Sequence, residues 1–248
     1  MEIARVILLA CLMLASAGAA TGAERGFYFG AVGGQTDYDF ESPLNLFVLQ
    51  PSVKIPVTSP SPQLPIGGTL YPAFGAAVQP LAWPPGADSE SGAWGAVAGY
   101  RISRYAAIEL NYLNLGSLKR NSTLMFGLPT PTGSIEIRHE LETRGPALAA
   151  LGLYPVTERF DLYARAGVFF ADVEASSSLV SSTVQVVGGR NSVTFGSEAL
   201  AWGGGAQFHW GQHWSVRLEF QRFENVGERN TAGEADIDLL SLGVLFRL

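Results

Sequence analysis

The sequence predicts an all-β fold, an eight-stranded antiparallel up-and-down transmembrane β-barrel. Hydrophobic residues make up 47% of the 248-residue chain and charged residues only 15%, whereas charged residues reach about 25% in an ordinary soluble domain. Beyond the N-terminus, no uninterrupted apolar run is as long as the ~20 residues that a membrane helix needs. Several segments instead alternate apolar and polar residues with a period of two, as strands do between lipid and an interior.

The N-terminal segment has the composition of a cleaved secretory signal peptide. Arg5 supplies a weakly positive start, residues 6–18 are apolar, and small residues close the segment. We expect residues 1–23 to be removed as a signal peptide and residues 24–248 to form the barrel; a buried N-terminal helix is the alternative. Cys11, the only cysteine, lies in the removed part, so the mature chain should contain no disulfide and no cysteine metal site.

Eight segments of the remaining chain have strand character. The clearest lies near residues 213–225, where apolar Val216 and Leu218 alternate with Arg217 and Glu219. Charged residues that alternate with apolar residues at every second position do not match the spacing of a helix face, so this pattern indicates a strand. The predicted strands cover residues 26–38, 92–102, 105–116, 138–154, 160–173, 195–210, 213–225 and 235–248.

The alternation also predicts which side chains face the interior. We assign the apolar face of each strand to lipid and the polar face to the lumen, so that in the fourth strand Leu141 and Leu151 face lipid while Glu140 and Arg144 face inward. An eight-stranded barrel is just wide enough for side chains to fill it, and buried charges must pair. The predicted lumen ion-pair residues are Arg101, Glu109, Glu140, Glu142, Arg144, Arg165, Arg217, Glu219 and Arg247. These pairs would either plug the lumen or gate a narrow polar conduit.

The predicted connections alternate between long and short. Those at residues 103–104, 156–159 and 211–212 are short, and the others are longer. Short periplasmic turns and longer extracellular loops are typical of barrels in a bacterial outer membrane. Aromatic residues predicted at the short-turn end form a girdle of the kind found at a membrane–water boundary: Tyr28, Tyr100, Tyr105, Tyr154, Phe160, Trp210, Trp214 and Phe246.

The first long connection, about residues 39–91, differs in composition from the rest of the chain. It contains ten of the 14 prolines, a density that disfavours ladder hydrogen bonds. It also holds apolar residues such as Leu49 and Trp83, more than is usual in a disordered segment. We expect an exposed extracellular loop that either contacts a surface partner or varies without a role.

Few residues suggest catalysis or metal binding. His213 and Ser215 have a His-x-Ser spacing that a lipid-modifying enzyme could use, but they fall at the short-turn end. His139 and His209 have no convergent Cys or Asp partner in the sequence. We predict no enzyme, no metal and no cofactor, and the net charge of −6 argues against a nucleic-acid partner.

The last eight residues form the most specific local motif. In residues 241–248, Leu242 and the apolar residues that follow at every second position make one continuous apolar face. An assembly machine could engage such a strand by edge pairing. The residues of this candidate assembly signal are Ser241, Gly243, Val244, Phe246 and Leu248.

These segments together resemble the OmpA-like, eight-stranded outer-membrane β-barrel domain. The resemblance covers nearly the whole mature chain and is strongest at GFYFG (26–30), GYRI (99–102), IELNY (108–112), LYARAG (162–167), WSVRLE (214–219) and the closing eight residues. It implies that the last strand is read by the assembly complex, although Leu248 stands where the family usually has Phe. We expect the family's separate peptidoglycan-binding domain, and its tethering role, to be missing.

The resemblance and the exposed loops indicate a non-enzymatic protein of the cell outer membrane, exported through the periplasm, that anchors surface-exposed loops and contributes to envelope integrity or surface interaction. A narrow pore or small-solute transporter is the alternative, and it requires a lumen that conducts. The expected partners are outer-membrane lipid, the outer-membrane assembly machinery during biogenesis and a surface partner of the first long loop.

Overall fold

The structure, a computed structural model, describes residues 25–40, 89–126, 133–182, 191–228 and 233–248. The strands are β1 (Gly26–Phe40), β2 (Glu90–Ser103), β3 (Ala106–Phe126), β4 (Gly133–Pro155), β5 (Phe160–Ser182), β6 (Asn191–Trp210), β7 (Trp214–Glu228) and β8 (Gly233–Arg247). No helix long and apolar enough to cross a membrane occurs among these residues. The predicted signal peptide lies outside them, as does the predicted first loop except at its two ends.

The eight strands close into one antiparallel barrel. Each strand pairs with its neighbours in sequence, and β8 pairs with β1 from Arg247 opposite Tyr28 to Ala235 opposite Phe40. Closure gives both sides of every strand a ladder partner over the shared length, which a strand-built membrane protein needs because lipid offers no hydrogen bonds. The predicted fold class is therefore confirmed.

Four neighbouring strands extend further from the short turns than predicted. β3 continues to Phe126, β4 starts at Gly133, β5 continues to Ser182 and β6 starts at Asn191. The predicted loops at 117–137 and 174–194 are thus mostly strand. Their polar residues resemble those of loops, but a sheet beyond the lipid can carry polar residues on both faces. We call residues 117–126, 133–142, 174–182 and 191–199 the projecting sheet.

A bulge in β3 marks the base of the projecting sheet. The register against β4 shifts between Asn114 and Ser117, and Gly116 adopts a φ of 90°, a left-handed conformation that favours glycine. Inward-facing side chains consequently change from odd to even positions, from Leu115 below the bulge to Leu118 above it. Because of this shift, the period-two pattern of the sequence does not predict which side chains face inward beyond the bulge.

The predicted facing agrees with the structure on most strands. In β7, Leu218 is 53% exposed on the outside, while the neighbouring Glu219 is 2% exposed inside. The same alternation holds in β2, β3 and β6 at the predicted positions. Large apolar side chains consequently form a continuous outer band, which is the surface that lipid covers.

The predicted facing of β4 is wrong. Leu141 and Leu151, assigned to lipid, are buried in the interior, and Glu140, Glu142 and Arg144, assigned to the lumen, face outward. Near the short turns both faces of β4 are apolar, so the pattern does not distinguish them. Arg144 is 11 residues from the end of β4 at Pro155, and 9–11 residues already cross a membrane. The outward charges therefore lie at or beyond the lipid boundary.

Aromatic side chains surround the short-turn end, with one exception to the prediction. Tyr105, Tyr154, Trp210 and Trp214 are all more than half exposed on the outer surface, as membrane-boundary aromatics are. Tyr28 instead points into the barrel, where its hydroxyl meets Glu109. Three consecutive aromatics at the start of β1 left its facing ambiguous in the sequence.

Candidate functional site

Four charged side chains meet inside the barrel towards the short-turn end. Glu109 of β3, Arg165 of β5, and Arg217 and Glu219 of β7 are each at most 4% exposed. Arg217 Nη1 lies 2.7 Å from Glu109 Oε1 and 3.6 Å from Glu219 Oε2. Arg165 Nη1 binds Glu219 Oε1 and lies 3.7 Å from Glu109 Oε2. Two guanidinium groups thus face two carboxylates, a balance that buried charges require.

Three neutral side chains complete this cluster. The Tyr28 hydroxyl donates to Glu109 Oε1 at 2.7 Å, and the Tyr163 hydroxyl donates to Glu219 Oε2 at 2.8 Å. Arg217 donates to Gln207 Oε1 from Nε at 3.2 Å and from Nη2 at 2.9 Å. The Arg217 guanidinium carbon also lies 4.8 Å from the centre of the Tyr163 ring, within range of a cation–π contact. We call this cluster the polar layer: Tyr28, Glu109, Tyr163, Arg165, Gln207, Arg217 and Glu219.

Glycines on neighbouring strands make room for the two tyrosines. Tyr28 lies opposite Gly99 in the β1–β2 ladder, and Tyr163 lies opposite Gly205 in the β5–β6 ladder. A Cβ on Gly99 would overlap the Tyr28 ring, and one on Gly205 would lie 2.7 Å from the Tyr163 hydroxyl oxygen. Each ring therefore occupies the space of a missing side chain, as glycine in a strand often permits.

An apolar layer fills the barrel between the polar layer and the projecting sheet. Phe169 and Phe223 are fully buried there, with ring centres 5.0 Å apart at 56°. We call this cluster the apolar layer: Leu113, Leu115, Phe169, Phe223, Ile237 and Leu239. A cavity beside Tyr28 and Arg217 has a volume of only about 20 Å³, room for about one water molecule. The described interior is therefore packed with side chains at both levels.

The barrel opens on the other side of the polar layer, at the short-turn end. A cavity of about 440 Å³ lies there, and we call it the mouth cavity. Arg101, Asp161 and Arg247 line it together with the short turns. Arg101 Nη2 is 3.0 Å from Asp161 Oδ2, and Arg247 Nη2 donates to the Gln212 carbonyl at 3.0 Å. These residues form a second charged cluster, distinct from the polar layer.

His209 connects two of the residues at the mouth cavity. Its Nε2 is 3.0 Å from Asp161 Oδ2, and its Nδ1 is 2.8 Å from Ser215 Oγ. The expectation that His209 has no acidic partner is therefore wrong, because strand pairing places Asp161 opposite Gln207, two residues away. His213 lies in the adjacent turn and stacks on the Phe246 ring. No group of three or more His, Cys, Asp or Glu side chains in the described part of the chain could hold a metal ion.

The structure divides the nine predicted lumen residues among three places. Four belong to the polar layer (Glu109, Arg165, Arg217 and Glu219), two line the mouth cavity (Arg101 and Arg247), and three lie on the outer face of β4 (Glu140, Glu142 and Arg144). The outer three pair with one another and their neighbours: Lys119 Nζ is 3.2 Å from Glu140 Oε1, and Arg144 Nη1 is 3.6 Å from Glu142 Oε1. Their assignment to the lumen was wrong.

Sequence reasoning missed the neutral members of the polar layer. The lumen residues predicted from the sequence include neither Gln207 nor the two tyrosines. Tyr163 could have been found, because it precedes Arg165 by two residues and must share its face. The pairing of Tyr28 with Glu109, 81 residues apart, depends on barrel geometry and has no local signal.

The residues of the candidate assembly signal lie on a strand that is paired on both sides. Ser241 and Gly243 point inward, whereas Val244 is exposed on the outer face. The Phe246 ring packs 5.0 Å from that of Trp214 on β7 and 5.6 Å from that of Phe29 on β1. The edges of β8 are therefore occupied in the closed barrel.

Comparisons with known proteins agree with this architecture. A family model, the OmpA-like transmembrane domain, matches residues 78–248. Outer membrane protein A of Yersinia pseudotuberculosis serotype I is 30% identical over 154 residues, covering 62% of this chain and 39% of that protein. Outer membrane protein A of Escherichia fergusonii is 31% identical over 156 residues, with the same two coverages. The chain thus spans about two fifths of the length of these curated relatives.

Solved outer-membrane barrels are similar over nearly their whole length. The crystal structure of Neisserial surface protein A covers 92% of this chain and 99% of its own, with a TM-score of 0.48 and 13% sequence identity. That of the outer membrane protein OprG from Pseudomonas aeruginosa covers 93% of this chain and 99% of its own, with a TM-score of 0.43 and 12% identity. The family match extends over well more than half of the sequence, and the chain accordingly belongs to the OmpA-like transmembrane domain family of the bacterial outer membrane.

Proposed function

We propose that this protein is a non-enzymatic anchor of the outer membrane, which displays surface-exposed segments and contributes to envelope integrity. The observation that carries the proposal is the filled interior. The polar layer and the apolar layer occupy successive levels of the barrel, and their central side chains are almost entirely buried. A barrel whose lumen is packed in this way can hold loops at the surface, but it offers solutes no continuous path.

The projecting sheet supports a role in surface contacts. Among the described residues, its two outer strands have no ladder partner on their outer side: β3 pairs with β2 only as far as Asn114, and β6 pairs with β7 only from Leu200. Side-chain hydrogen bonds still link Ser117 to β2 and Ser197 to β7. Unpaired strand edges can accept a further strand from another chain. The proline-rich first connection joins β1 to β2 at the same end of the barrel, and we include it in the contact surface.

Surface display is tested by replacing residues 41–88 with a short epitope in cells that lack the native protein. We expect the epitope to be labelled on intact cells and the barrel to keep a heat-dependent shift on gels. The gene deletion should increase sensitivity to detergent, and the unmodified protein should restore resistance. An epitope reached only after cell lysis, or unchanged resistance in the deletion strain, would contradict the proposal.

A narrow pore is the second candidate, and the charges of the polar layer favour it. A balanced set of ion pairs could rearrange and admit water, and the mouth cavity already opens on one side of this layer. Unitary currents from the purified protein would support a pore.

Catalysis at Ser215 is disfavoured by its backbone position. Asp161, His209 and Ser215 are connected in the order of a serine-hydrolase relay. Ser215, however, lies within paired strands, opposite His209 on one side and Leu245 on the other. Backbone N–H groups bound in ladders are not available to stabilise an oxyanion. We therefore infer a structural role for this chain of hydrogen bonds, and Ser215→Ala should not alter envelope function.

We propose that residues 1–23 direct export and that residues 241–248 are read by the assembly machinery before the barrel closes. Phe246→Ser should reduce the assembled, heat-shifted fraction in cells several-fold. Phe29→Ser is a matched control, because Phe29 contributes the other ring of the same contact from β1. The two variants should be equally stable in vitro. If Phe246→Ser and Phe29→Ser then reduced the assembled fraction in cells equally, the result would contradict recognition of residues 241–248 by the assembly machinery. N-terminal sequencing of the mature protein tests the cleavage site.

A further inference from the structure

Three arginine side chains are exposed at the short-turn end of the barrel, and the proposed anchor role gives them no contact. Arg25 precedes β1, Arg104 lies in the β2–β3 turn and Arg159 lies in the β4–β5 turn. Each of these positions is about two strands from the next around the barrel. Because neighbouring strands are about 4.8 Å apart, the spacing along the rim is roughly 10 Å. We call these three residues the rim arginines.

The rim arginines carry charge that the described residues do not neutralise. None of them forms an ion pair with another described side chain. Glu158 is the one exposed acidic side chain in the described turns of this end, and Asp161 is buried and engaged by Arg101 and His209. Arg247 is engaged by a main-chain carbonyl and is not counted among the rim arginines. The exposed side chains of these turns therefore have an excess of positive charge.

Aromatic side chains indicate the depth of the rim arginines in the membrane. Phe27 follows Arg25 by two residues and is 63% exposed, and Tyr105 follows Arg104 directly and is 55% exposed. Aromatic rings of a membrane-boundary girdle sit at the level of the lipid headgroups. The rim arginines lie next to this girdle on the side away from the lipid core, so their guanidinium groups are at the depth of the lipid phosphates.

The opposite end of the barrel carries outward carboxylates instead. In the β1–β8 ladder, Asp37 lies opposite Asp238 and Asp39 lies opposite Asp236, all on the outer face. Arg222 pairs with two of them, at 2.8 Å from Asp236 and 3.2 Å from Asp238. The net charge of the chain is −6. An anionic lipid surface therefore repels the protein as a whole and attracts it at the short-turn end.

We propose that the rim arginines bind the phosphate groups of anionic phospholipids in the leaflet that surrounds the short turns. A guanidinium group binds phosphate oxygens bidentately, and a basic side chain near an anionic membrane surface strengthens binding roughly fivefold. The lipid tails would lie against the exposed aromatic rings of the girdle. Such contacts would hold the barrel at a fixed depth, a role beyond the display of surface segments.

The test uses the protein purified from outer membranes into maltoside micelles and titrated with short-chain phosphatidylglycerol. Mass spectrometry of the intact complex counts the bound lipids, and phosphatidylcholine with the same chains is the reference. The anionic lipid should bind about tenfold more tightly than the reference, and the preference should shrink at high salt. Arg25→Gln, Arg104→Gln and Arg159→Gln combined should abolish the preference.

The matched control removes three cations from the projecting sheet, with Lys119→Gln, Arg138→Gln and Arg144→Gln combined. Lys119 and Arg144 pair with glutamates on β4, so this variant should keep the preference of the unmodified protein. A heat-dependent gel shift establishes that each variant is folded. Equal binding of the two lipids by the unmodified protein would overturn the proposal. A preference that survives in the rim variant, or that disappears equally in the control variant, would do the same.

Discussion

The charges of the polar layer and those on the outer face of β4 come from the same kind of sequence pattern but occupy opposite environments. Arg217 is 2% exposed, and its ion pairs with Glu109 and Glu219 are buried away from solvent. The Arg144 side chain is 47% exposed and lies 3.6 Å from Glu142. Charged residues at every second position therefore share one face of a strand, but their contribution to stability depends on how deep that face lies relative to the lipid.

The largest effect is expected from removing one charge of the polar layer. Arg217→Met should lower the free energy of unfolding by about 3–5 kcal/mol, because two buried carboxylates would then share one guanidinium. Equilibrium urea unfolding in lipid vesicles measures the loss. Arg222→Met is the control on the same strand, where the partly exposed ion pairs with Asp236 and Asp238 should account for about 0–1 kcal/mol. Similar losses for the two variants would mean that the polar layer is hydrated.

The lipid-facing surface of the barrel is a third environment in which the cost of a charge can be measured. Leu218→Arg should destabilise the barrel by about 2–4 kcal/mol, the cost of an arginine near the bilayer midplane. Leu162→Arg is the control, two residues from the start of β5 at Phe160, where the cost should fall to about 0–1 kcal/mol. Refolding yields and urea midpoints in vesicles give both values. A cost independent of depth would contradict the placement of the membrane.

A smaller effect should follow from filling the space beside Tyr28. Gly99→Ala should destabilise the protein by about 1–3 kcal/mol, because its Cβ would overlap the tyrosine ring and displace the hydroxyl from Glu109. Gly92→Ala, on the same strand, meets no atom within 4 Å and should be close to neutral. Rescue of Gly99→Ala by Tyr28→Ala would support direct contact, and additive losses would argue against it.

The smallest effect is expected on the outer face of β4. Arg144→Met should change the free energy of unfolding by about 0–1 kcal/mol, since exposed ion pairs are screened by water and salt. Any loss should shrink when the urea titration is repeated at high salt. A loss as large as that of Arg217→Met would place Arg144 in the interior, as the sequence pattern suggested.

The fold could be predicted because each strand carries its own evidence. In β7, Arg217 and Glu219 alternate with Val216 and Leu218, and only one side of a lipid-embedded barrel accepts such charges. The lengths of the strands could not be predicted as well, because β3 to β6 continue past the lipid. Beyond the lipid both faces of a strand can be polar, so the sequence pattern no longer distinguishes a strand from a loop.

The candidate site was predicted only in its charged members. Asp161 and His209 meet because β5 and β6 pair in one particular register, and their separation of 48 positions in the sequence gives no indication of it. Tyr28 reaches Glu109 because the barrel is narrow at that level and Gly99 leaves room for its ring. Such contacts depend on the diameter and register of the closed sheet, which alternation within single strands does not determine.

Single-channel recording of the purified protein in planar lipid bilayers tests the central claim most directly. A lumen sealed by the polar and apolar layers should give no unitary current steps, while a gel shift establishes that the inserted protein is folded. Reproducible steps from the unmodified protein, whose size changes with Glu109→Gln, would contradict the sealed interior and identify the barrel as a pore.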